Sequence, residues 1–138
     1  MKTNKILVGG VAGGIVFFLL GWLIWGLILA GYMAANSNQC IVRPMDQMIW
    51  WALILSDLCW GFLLAVVFSW SNTTGWMDGA KKGVIVGLLI GLLIDLYFYA
   101  ASTMFSNLTV ILVDVLATAV MLAVGGAIIA WAMGMVRK

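Results

Sequence analysis

Four apolar stretches, at residues 6–33, 47–69, 83–104 and 109–135, take up most of this 138-residue chain. About 20 helical residues cross a hydrocarbon core of about 30 Å, so each stretch is long enough to span a bilayer. The expected fold is therefore all-α, a four-transmembrane-helix bundle forming a single transmembrane domain over residues 1–138. Composition agrees. The chain is 65% hydrophobic and 9% charged, whereas soluble domains are nearer half apolar and a quarter charged. No soluble catalytic module is expected in the remaining residues.

Charge gives the expected orientation. Lys2, Lys5, Lys81, Lys82, Arg137 and Lys138 fall on one side of this arrangement and Arg43 on the other. The positive-inside rule then puts both termini and the middle loop in the cytoplasm, as in a multi-pass protein of the cell inner (plasma) membrane. A net charge of +2 is accounted for by these orienting residues and calls for no nucleic acid. Membrane lipids are the expected surroundings, and the basic residues would attract anionic ones. The first stretch follows two lysines like a signal peptide, but its apolar run exceeds the usual h-region and it is expected to be retained.

The connections are short. Residues 34–46 form a polar loop with the only proline, Pro44, and residues 70–82 are read as a loop because they hold Asn72, Gly75, Asp78 and Gly79. Only residues 105–108 separate the third and fourth stretches, which must then lie antiparallel and adjacent. Two cysteines, Cys40 and Cys59, are too few for a disulfide framework.

Against this apolar background three aspartates stand out. Asp57, Asp95 and Asp114 each lie inside an apolar stretch, and none of the four stretches carries a lysine, arginine or histidine. An acid at the centre of a membrane helix costs roughly 2.5–3.5 kcal/mol on insertion scales, so three of them need a reason. At about 1.5 Å per residue all three fall between the midplane and the outer surface. Gly83, Gly87, Gly91, Asp95 and Tyr99 recur every fourth residue, as do Asp57, Gly61 and Ala65. Small residues at that spacing let helix backbones approach, so both stripes, and the acids in them, are expected to face other helices.

Of the eight tryptophans, Trp50 and Trp51 suit the outer interface, and Trp70, Trp76 and Trp131 the inner one. Trp22, Trp25 and Trp60 fall near the depth of the acids instead. A buried indole needs an acceptor for its N–H, which a carboxyl group supplies. The expected site is thus an outer-half cavity lined by Asp57, Asp95, Asp114, Trp25, Trp60 and Tyr99. It would bind or transport a cation or a small cationic or amphipathic ligand, with proton coupling, because a low-dielectric environment favours the neutral acid and permits proton exchange. The alternative is a non-catalytic accessory or scaffold protein whose aspartates only fasten the bundle, with Ser56, Ser102 and Thr118 joining the hydrogen bonds.

An enzyme is not expected. The chain has no histidine or glutamate, and Cys59, two positions after Asp57, would face away from it on a helix. No metal or other cofactor is expected. The glycine pairs of the first stretch lack the strand and lysine of a phosphate-binding loop. More small-residue faces are available than one bundle needs, which points to a homo-oligomer.

Gly21, Trp22, Trp25 and Gly26 in the first stretch, with three further spans in so short a chain, resemble a family of small four-helix bacterial membrane proteins of unknown function. That resemblance implies an architecture and no activity. The size and the acid-plus-aromatic combination are also similar to small multidrug-resistance transporters, which work as dimers around a membrane carboxylate. Their essential acid is a glutamate in the first helix, where this chain has no acid.

Overall fold

Backbone N–H and C=O groups away from water must find partners within their own segment, which an apolar run of this length achieves as a helix. The computed structural model describes residues 2–136 and is helical throughout apart from its connections. Four helices are long and apolar enough to cross a membrane. The first comprises α1, Lys2–Gly21, and a π-helical segment, Trp22–Ile28, followed after Leu29 by a short α2, Ala30–Asn36. The others are α3, Trp50–Trp70, α4, Gly75–Ala101, and α5, Leu108–Met135. Arg137 and Lys138, counted above among the orienting charges, lie outside the described residues.

Helix α4 starts earlier than expected, and residues 75–82 form its opening turns rather than a loop. The reversal of direction is confined to Asn72 (φ 49°) and Gly75 (φ 81°), residue types that tolerate the left-handed region. Asp78 then secures the first turn. Its Oδ2 accepts the Thr74 N–H at 3.0 Å and lies 2.9 Å from Lys82 Nζ, one turn further on. At the start of α5, Asn107 Oδ1 accepts the Val110 N–H at 3.0 Å, closing an orphan donor.

The start of α1, the α3–α4 turn and the end of α5 share one end of the bundle, here called basal. The distal end carries α2 and the α4–α5 connection. There the Asn38 N–H donates to Met104 O at 2.8 Å and the Ser106 N–H to Asn36 O at 3.0 Å. Phe105, Val110, Ile111 and Val115 are buried beneath this strap.

Helix α5 is the hub, packing against α4, α1 and α3, with buried residues from Val110 to Met133. The larger core, including Phe17, Leu64, Phe68, Leu122 and Ile129, gathers around it. Helix α4 meets the rest of the bundle chiefly through α5, and α3 chiefly through α1. Both of these main seams use glycine where backbones touch. A Cβ on Gly83 would run into the Leu122 carbonyl oxygen, and one on Gly61 into the Gly10 carbonyl oxygen. Approach this close gains many weak dispersion contacts along each seam.

Candidate functional site

The α4–α5 seam carries Asp95 inward. Gly79 lies against Gly126, Gly83 against Leu122, Gly87 against Ala119 and Gly91 against Val115, a register that advances about one turn per pair. One turn further it brings Asp95 to the level of Ile111, a turn away from Asp114 on the same helix. The seam thus sets the Asp95 and Asp114 carboxyls beside each other. Asp95 is only 4% exposed, and its Oδ2 has no hydrogen-bond partner. Asp114 is half-buried and is held from the other side, where Trp25 Nε1 donates to its Oδ1 at 2.6 Å.

Trp25 reaches Asp114 from within the π-helical segment. The wider turn is visible where the Leu29 N–H bonds to Ile24 O, five residues back, at 2.7 Å. Each residue added to a turn shifts the following side chains by about 100° relative to an uninterrupted α-helix, so the π segment sets the direction in which Trp25 points. The segment coincides with the Trp22, Trp25 and Gly26 pattern. That pattern marks the place in the sequence, but a π turn has no residue code from which it could be read.

The six expected site residues do not converge. Asp95, Asp114 and Trp25 form a chain across α4, α5 and the π segment. Tyr99 is 41% exposed and leaves the seam. The reason is geometric, since the same register puts Tyr99 level with Asn107, the cap at which α5 begins, so α5 offers it no turn to pack against. Asp57 is half-buried on α3 and stands apart; no group of three acids or other metal-binding side chains exists among the described residues. Extending the Gly61–Gly13 contact by a turn brings Asp57 level with Phe17 on α1, a stretch of Ile15, Val16, Phe17 and Phe18 that offers no polar side chain.

Trp60 is half-buried against the main core, as is Trp25 along part of its ring. Ser102 donates to the Phe98 carbonyl at 2.6 Å, a bond within its own helix end rather than to an acid. Cys40 and Cys59 are free and exposed. One cleft indents the basal end and another runs along α1 and α3, and neither is lined by an aspartate.

Fold and site together define a class: an all-helical protein with four helices long and apolar enough to cross a membrane, two of them joined by paired acids. No family model matches the chain, and neither a curated protein nor a solved structure matches it.

Proposed function

We propose that the chain is a multi-pass protein of the cell inner membrane, with cytoplasmic termini, that binds a proton or small cation at Asp95 and Asp114. Membrane insertion is supported by the outward faces, where Leu7, Leu19, Leu89, Leu93 and Leu116 are all exposed and an aqueous surface would be polar. Lys2, Lys5, Lys81 and Lys82 gather at the basal end and Arg43 lies at the other, which supports the orientation.

One observation carries the binding site. Asp95 is almost completely buried beside a second carboxyl, with an unpartnered oxygen and no basic side chain in any of the long apolar stretches. Two carboxyls this close in a low-dielectric setting favour a shared proton or an intervening cation over two bare charges. Exchange of one for the other would couple proton movement to cation movement. Trp25 bounds the site with an indole that fixes Asp114 and offers a ring face to a cationic or amphipathic ligand.

The test is infrared difference spectroscopy of the reconstituted protein across a pH and monovalent-cation titration. A protonated-carboxyl band that responds to both and is lost in Asp95→Asn and Asp114→Asn is the expected result. A spectrum in which these variants match the wild type would refute the site.

A second reading draws on the Trp25–Asp114 bond, which ties the π segment to the hub helix and would fasten the bundle of an accessory or scaffold protein. It predicts that Asp114→Asn loosens the fold while no cation effect is found. Either role suits a homo-oligomer, with α4 available to a second copy because its own bundle covers little more than its α5-facing side. The reading assigns no catalysis.

A further inference from the structure

The basal end holds a cleft of about 400 Å³ where all four long helices contribute. Lys2 and Lys5 line it from α1, one turn apart on the same face, and Ser69, Asn72, Thr73 and Thr74 line it from the end of α3 and the following turn. Its apolar wall comes from Phe68, Ala130 and Met133.

The charges here do not cancel. Asp78, the acid of the α3–α4 turn region, is taken up by Lys82 at 2.9 Å and by the Thr74 N–H at 3.0 Å. Lys82 also donates to Ser71 O at 3.1 Å and to Thr73 Oγ1 at 3.0 Å, which anchors it beside the turn. Lys2 and Lys5 have no carboxylate partner among the described residues, and the described lining of the cleft presents two ammonium groups, several hydroxyls and no acid. That combination suits a phosphate-bearing anion, and the apolar wall suits the start of an acyl chain below it. Trp70, Trp76 and Trp131 are exposed around the same end, as in the interfacial belt where phospholipid headgroups lie.

We infer that this cleft binds a phosphate-bearing anion, and, resting on the membrane reading above, that its source is an anionic phospholipid headgroup. Removing both ammonium groups should weaken binding about 30-fold, from about 1 kcal/mol for each basic residue near an anionic headgroup.

The experiment uses the full chain in neutral detergent, titrated with phosphatidylglycerol, phosphatidylcholine or inorganic phosphate, with lipid adducts followed by native mass spectrometry. The wild type should retain phosphatidylglycerol over phosphatidylcholine. Lys2→Gln with Lys5→Gln should lose that preference, the paired arginine replacements should keep it, and Lys81→Gln, on the exposed surface away from the cleft, should match the wild type. If inorganic phosphate competes the lipid away at equal concentration, the phosphate site stands with a free anion as its source; if it does not, the lipid is the source. Equal phosphatidylglycerol binding by the wild type and the double glutamine variant would overturn the site. Flotation with phosphatidylcholine vesicles reports insertion separately, so a chain that floats but shows no anion preference loses the cleft and keeps the membrane reading.

Discussion

The two glycine seams follow the same pattern and end differently. On α4 the stripe of Gly83, Gly87 and Gly91 leads to Asp95, and on α3 Gly61 and Ala65 lead back to Asp57. Both seams close on backbone, yet Asp95 is buried beside a second acid while Asp57 is half-buried opposite apolar residues. The difference lies in the facing helix. Helix α5 supplies Asp114 within a turn of the matching level, and α1 supplies only apolar side chains. A stripe of small residues therefore determines which way an acid points, and the partner helix determines what that acid can do.

The largest effects should come from the seams themselves. Gly83→Ala and Gly61→Ala each push a methyl into a facing carbonyl oxygen, and each should cost about 3 kcal/mol in reversible unfolding from micelles. If Gly61→Ala proves neutral, the seams are not equivalent and α3 is free to shift. Within the α4 seam, Gly91→Ala is the contrast. Its methyl would lie 3.4 Å from Val115 Cα, an ordinary contact, so the change should be neutral or stabilising by up to about 1 kcal/mol through helix propensity.

The next effect concerns the acids. Trp25→Phe keeps an aromatic ring but removes the donor to Asp114, and should cost about 1–2 kcal/mol in the same unfolding measurement. No loss would mean that the 2.6 Å bond does not hold the π segment to α5. Asp57→Asn and Tyr99→Phe should be the mildest, within about 0.5 kcal/mol in stability and without effect on the cation response of the carboxyl band. Loss of the cation response of that band on replacing Asp57 would return it to a shared site with Asp95 and erase the contrast between the seams.

Much of this was readable in the sequence. Run length gave the four long helices, and glycine spacing gave the faces on which they pack. The short α4–α5 link brought Asp95 and Asp114 together because it leaves those helices no choice but to be neighbours. The isolation of Asp57 was not readable, since depth along a helix says nothing about which helix it faces. Tyr99 continues the stripe but sits where α5 only begins, and the stripe itself carries no sign of where the facing helix starts. The start of α4 was not readable because Asp78 and Gly79 have the composition of a turn, while the Asp78–Lys82 pair that supports the helix there is a relation between positions.

The position of the hub in the chain has a consequence for how the molecule is made. Chains emerge from the ribosome N-terminus first, and of the four long helices α5 appears after the other three. The α1–α3 seam can close while synthesis continues, since it needs nothing later than Trp70. Helix α4 must wait, because the surface that receives its glycines does not yet exist. During that interval Asp95 is without Asp114 and Trp25 is without an acceptor, so the acid pair cannot assemble until all four long helices have been made.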